Sequence, residues 1–264
     1  MIQVMKYKIN YLLSNKLLTV FVPLLFVILN FEVIINSGML LSGGANFNAD
    51  MKYQLVLNNY IVVISFFGFL AAIFIGSSVL GPDIQTGNLY IILSIYPSRK
   101  KYYFGTFIAC VIYMLTIQAL LLMNEMILMW IFDIQYLGFD IWLVFSQNIL
   151  NSLVALSLTS LASIYIRGHG SAFIGLLGYA FFSIYIFNII PFTNTSLVFD
   201  ITKYKNVLVH FFPITNIYGV SFTESWVSEL YNAVPVFENI YIYQILYIVL
   251  LTGISAFLFS RKEL

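Results

Sequence analysis

At 264 residues the chain has room for one or two globular domains, but 61% hydrophobic and only 9% charged residues exclude a soluble fold, for which about 45–50% and about 25% are usual. A chain this apolar requires lipid as its solvent, and a net charge of +1 excludes the concentrated basic face of a nucleic-acid binder. One cysteine, Cys110, excludes an intrachain disulfide and a multi-cysteine metal cluster.

Residues 1–16 are too polar to span a membrane. Met5, Ile9, Leu12 and Leu13 recur at helical spacing, with Gln3, Lys6, Asn10 and Ser14 on another face. The pattern predicts an amphipathic helix on the inner leaflet with its lysines near anionic headgroups; a charged, frayed tail is the alternative. A spanning helix needs about 20 mostly apolar residues to cross roughly 30 Å of hydrocarbon. Six segments meet that requirement: 17–36, 60–80, 103–130, 141–166, 171–191 and 239–260. Lipid offers backbone groups no partners, so these segments are expected to be helices within one transmembrane domain, 1–264. The first of them is too long for a cleavable signal peptide and lacks a small-residue cleavage site. Residues 37–59 form a Gly/Asn-rich outer loop. The outer region 192–238 holds Val207–Ile214, too short to cross and too apolar for water, which predicts a re-entrant or interfacial helix.

Charge sets the orientation. With both termini inside, nine of the twelve basic residues fall on the inner side: Lys6, Lys8, Lys16, Arg99, Lys100, Lys101, Arg167, Arg261 and Lys262. Lys52, Lys203 and Lys205 remain outside. Acidic residues lean outward, leaving Asp83 and Glu263 on the inner side.

Within the spans, Asn148, Ser152, Ala155, Thr159 and Ser163 line one face of the fourth segment. Gly68, Ala72 and Gly76 on the second, and Ser171, Gly175 and Gly178 on the fifth, make similar small-residue stripes. Such stripes let helices approach closely; a substrate-lining role for Asn148 and Ser152 is the competing reading. Glu125 is the acid lying clearly inside a span, with Gln118 seven residues earlier on the same face. An intramembrane acid is costly and therefore a functional candidate, although Trp130 nearby would also let it reach outer-leaflet water.

Catalytic signatures are missing. No Walker pattern, His-Glu-x-x-His or Gly-x-Ser-x-Gly motif occurs, and the two histidines, His169 and His210, fall on opposite sides of the membrane. Neither enzymatic activity nor a metal or other cofactor bound by this chain is expected.

The inner loop 82–100 carries the most informative stretch. It runs through Asp83, Gly87-Asn88, the apolar Leu89-Tyr90-Ile91-Ile92-Leu93, then Pro97-Ser98-Arg99-Lys100. This resembles the first cytoplasmic loop of ABC-2 type exporter permeases, in which an acid, Gly-Thr, a Leu-rich run and Pro-x-Ser-Arg follow one another. Asp83 stands where Glu is more common, Gly87-Asn88 replaces Gly-Thr, and the spacer after Pro97 is missing. The ending Phe259-Ser260-Arg261-Lys262 is similar to the Arg-rich terminus of those permeases.

The resemblance implies an all-α, type V (ABCG-like) fold in a bacterial cytoplasmic membrane. It further implies separate ATPase subunits, which would hold ATP and Mg, and a second permease copy or paralogue. Asp83, Gly87, Leu89, Ile92, Pro97 and Arg99 become the residues expected to couple to the ATPase, with Asp83–Tyr96 a short rigid helix. Its end charges suit the helix dipole; an ordinary capped loop is the alternative. Gln118, Glu125, Asn148 and Ser152 become candidates for the substrate path. The expected function is export of an amphiphile: a peptide, a toxin or antibiotic, or a lipid-like molecule. A membrane assembly or regulatory protein that transports nothing is the competing class.

Overall fold

The computed structural model describes residues 1–16, 18, 20, 22–24, 26–27, 30, 68–95, 98–131, 140–166, 169–181 and 240–262. These residues form helices throughout and include no strand. They are α1 (Ile2–Ser14), α2 (Phe69–Ser77), α3 (Gly81–Gln85), α4 (Asn88–Ile95), α5 (Arg99–Ile131), α6 (Asp140–Tyr165), α7 (His169–Phe181) and α8 (Ile240–Arg261). The described positions of residues 16–30 are helical as well. Two stretches, Arg99–Ile131 and Asn148–Tyr165, are helices long and apolar enough to cross a membrane. Continuous apolar sequence without an internal proline explains α5: its 33 residues rise about 50 Å at 1.5 Å each.

Cross-helix contacts give the directions. Tyr103 near the start of α5 bonds Ser160 near the end of α6 at 3.0 Å, and Gln118 Nε2 donates to Ser152 Oγ, so the two helices are antiparallel. Arg99 donates to the Lys262 carbonyl and Lys262 Nζ to the Ile164 carbonyl, so α6 and α8 finish where α5 begins. Asn30 and Asn124 exchange amide hydrogen bonds of 3.3 Å, placing Asn30 beside the later part of α5.

Small residues bring the central helices together. A Cβ on Gly76 of α2 would lie 2.8 Å from the Leu156 carbonyl oxygen and 2.9 Å from Thr159 Cβ. One on Gly175 of α7 would lie 2.8 Å from Thr159 Oγ1. Close van der Waals contact of this kind lets these helices approach one another tightly. The hydroxyls on α6 turn back onto their own helix, as in Thr159 to the Ala155 carbonyl and Ser163 to the Ser160 carbonyl, both 2.7 Å. None of these hydroxyls goes unsatisfied in the interior. The packing reading of the stripes on α2, α6 and α7 therefore agrees with the geometry.

The helix at the N-terminus differs from its expected orientation. Its buried line is Val4, Lys8 and Leu12, while Leu13 is exposed. The cause is Gly105 on α5: its missing Cβ admits the Val4 side chain, which would otherwise lie 3.2 Å from it. That contact rolls α1 so that Lys8 points inward. Lys8 is thus removed from the set of lysines expected at the headgroups. The loops 37–59 and 192–238, including Val207–Ile214, lie outside the described residues.

Candidate functional site

Asp83 lies in the first turn of α3 and is fully buried, although a solvated helix-end charge was the expectation. Lys8 Nζ, itself without solvent exposure, donates to Asp83 Oδ2 at 2.9 Å. Tyr102 of α5 donates to the same oxygen at 2.7 Å, and Tyr7 of α1 donates to Oδ1 at 3.3 Å. Lys8 also sits 5.0 Å above the Tyr11 ring. Burial, and then the negative charge of Asp83, push the Tyr7 hydroxyl up to about 12, so it is a firm proton donor at neutral pH. A buried ion pair is tolerable only when its remaining lone pairs are also bonded, and these three donors meet that condition. The network ties α1, α3 and α5 into one unit.

The loop from Asp83 onward is two helices rather than the single rigid helix Asp83–Tyr96. Gly87 separates α3 from α4 at φ 73°, a left-handed conformation that costs most other residues roughly 1–2 kcal/mol. Leu89 has no solvent exposure and belongs to the chain's own core, and Ile92 packs half-buried against that core. Leu89 is therefore unavailable to dock on a partner, which corrects the expected contact set. Tyr90 and Ile91, 58% and 64% exposed, form the open apolar face. Arg99 is also committed internally, through its bond to the Lys262 carbonyl. Pro97 lies outside the described residues.

The four residues expected along a substrate path are all buried. Gln118 and Ser152 join α5 to α6 directly, and Asn148 stands one helical turn from Ser152. Glu125 has 0% exposure, so it does not reach water at the bundle surface as its proximity to Trp130 allows. Both of its carboxylate oxygens, and Oε1 of Gln118, have no hydrogen-bond partner. Leu121, Leu122 and Met129, at i−4, i−3 and i+4 from Glu125, are buried and apolar. Among the described residues no group of three or more His, Cys, Asp or Glu side chains is arranged to hold a metal.

Sequence reasoning passed over Lys8, Tyr7 and Tyr102 as partners of Asp83, and Tyr90 and Ile91 as the open face. A signal for Lys8 existed: it stands four residues from both Val4 and Leu12, on an otherwise apolar line. The chain matches no protein-family model, no curated protein and no solved structure.

Proposed function

We propose that this chain is the transmembrane permease subunit of an ABC-type exporter, with six membrane spans and both termini on the cytoplasmic side. A separate ATPase subunit would drive it, a second permease would complete the pore, and an amphiphile would be its cargo. The observation that carries the reading is α4. This short helix stands at the Arg99 end of the bundle, anchored through α3 to a buried ion pair, with Tyr90 and Ile91 turned outward. A permease without a nucleotide site must receive motion by contact. Such contact requires an exposed apolar face for docking and a stiff connection to the spans, and α4 and the Asp83 network have those properties. The resemblance of the loop 82–100 to the corresponding loop of ABC-2 type permeases supports the same assignment, as does the excess of basic residues at that end.

The test uses the exposed residues. Tyr90→Asp and Ile91→Asp place a charge in the docking face while leaving the core intact. Each should keep normal membrane abundance, and each should lose co-purification of an ATPase carrying Walker motifs. Retention of the partner by both variants would remove α4 as the coupling element. Failure of any ATPase to accompany the wild-type chain would favour a non-transporting membrane protein.

A further inference from the structure

We infer that the carboxylate of Glu125 forms an intramembrane acceptor site for a primary ammonium group carried by an amphiphile. The inference rests on the exporter reading, because entry to the site requires α5 and α6 to part.

An ionised carboxylate deep in a bundle requires a cation or several donors, and an unpaired one is strongly disfavoured. Among the described residues neither oxygen of Glu125 has such a partner. Lys8 is taken by Asp83, while Arg99 and Lys262 hold backbone carbonyls at the far end. On α5 itself the nearest cation is Lys101, about 36 Å away along the helix axis. The neighbouring amides of Asn30 and Asn124 are engaged with each other. Local geometry also argues against a packing role, since the α6 hydroxyls of Ser152, Ser157, Thr159, Ser160 and Ser163 are all hydrogen-bonded.

The unpartnered atoms of Glu125 are both acceptors, the two carboxylate oxygens. Their complement is a cation that donates hydrogen bonds. An ammonium bears three N–H donors and a full positive charge, whereas a quaternary ammonium has the charge without the donors. The buried apolar side chains of Leu121, Leu122 and Met129 around the carboxylate suit the alkyl part of an amphiphile. The cargo class is therefore a primary-amine amphiphile, which includes a cationic peptide side chain or an amino-bearing lipid.

Binding of hexylammonium to the purified chain in phosphatidylcholine nanodiscs tests this, by calorimetry at constant ionic strength with empty nanodiscs subtracted. Wild type should bind saturably, and Glu125→Gln should bind about tenfold or more weakly, as expected for loss of a charge-assisted hydrogen bond. Glu125→Asp should retain most of the affinity, and hexyltrimethylammonium should bind wild type more weakly than hexylammonium. Four results would each overturn the site: no saturable binding by wild type, equal affinity in Glu125→Gln, equal affinity for the trimethyl compound, or displacement by sodium at matching concentration. Ile91→Asp separates this inference from the exporter reading, because it should bind hexylammonium normally. If the ammonium binds as described but no ATPase accompanies the wild-type chain, the site stands and the exporter reading falls. If an amphiphile stimulates the partner ATPase equally with wild type and Glu125→Gln, the exporter reading stands and the site falls.

Discussion

Two carboxylates of this chain are fully buried among the described residues, and their surroundings are opposite. Asp83 accepts from a lysine and two tyrosines, whereas neither oxygen of Glu125 has a partner. The difference separates structural from functional use of the same chemical group. Where a fold needs a buried charge for its own architecture, it supplies donors from several elements, here α1 and α5. Where it leaves the group unsatisfied, the group costs stability, and a ligand can offset that cost. Asp83 thus stiffens the Arg99 end of the bundle, and Glu125 remains unbonded toward the other end of α5.

The largest expected effect tests the Asp83 side. Asp83→Asn and Lys8→Met each leave one buried charge uncompensated, and each should destabilise the protein by about 3–5 kcal/mol. Chemical denaturation in a single detergent would measure it. The double variant Lys8→Met/Asp83→Leu should be less damaged than the sum of the singles, since the pair is removed together. These magnitudes replace the mild effect expected for an exposed helix-end charge.

Tyr102→Phe comes next. It removes a 2.7 Å donor to a carboxylate, and hydrogen bonds to charged groups contribute about 1.5–3 kcal/mol. Its melting temperature should fall between those of wild type and Asp83→Asn. Glu125→Leu should have the opposite sign, because it removes an unsatisfied buried group that costs about 1–3 kcal/mol. A rise in melting temperature is expected, together with loss of hexylammonium binding. Destabilisation of the Leu variant would mean that Glu125 has a structural task and would break the contrast with Asp83.

The smallest effect concerns Tyr7. Its hydroxyl pKa is raised in the folded state from the ordinary 10.0 to about 12, so folding favours the protonated form. The corresponding stability is fully present below pH 10 and is lost as pH rises through about 12. Tyr7→Phe should remove that alkaline dependence and, at neutral pH, cost less than Tyr102→Phe, because its 3.3 Å bond is longer and more exposed. Stability profiles of the two proteins between pH 9 and 12 would show it.

The long helices were legible because a spanning segment is a local property of the sequence. The reading 141–166 meets Asp140–Tyr165, 239–260 meets Ile240–Arg261, and 103–130 falls inside Arg99–Ile131. Small-residue stripes carried their packing role for the same reason, as Gly76 and Gly175 against Thr159 illustrate. The Asp83 network was not legible, since Lys8 lies 75 positions away and its inward turn depends on Val4 seating against Gly105. Counting charges assigned Lys8 to the headgroups, when only two inner acids, Asp83 and Glu263, among nine inner cations were themselves a reason to seek a pair. Leu89 and Ile91 are alike in composition. Two positions apart on α4, they lie on opposite faces of the helix, and it is the tertiary packing that decides that Leu89 is core and Ile91 surface.

Thermal unfolding of wild type, Asp83→Asn and Glu125→Gln in the same phosphatidylcholine nanodiscs, with and without hexylammonium, tests the division between the two carboxylates most directly. Ligand that binds only the native state raises the melting temperature. The account predicts that Asp83→Asn melts well below wild type yet is still stabilised by hexylammonium. It predicts that Glu125→Gln melts at or above wild type and gains nothing from the ligand. A fall in melting temperature of similar size for both variants, or equal stabilisation of wild type and Glu125→Gln by hexylammonium, would contradict it.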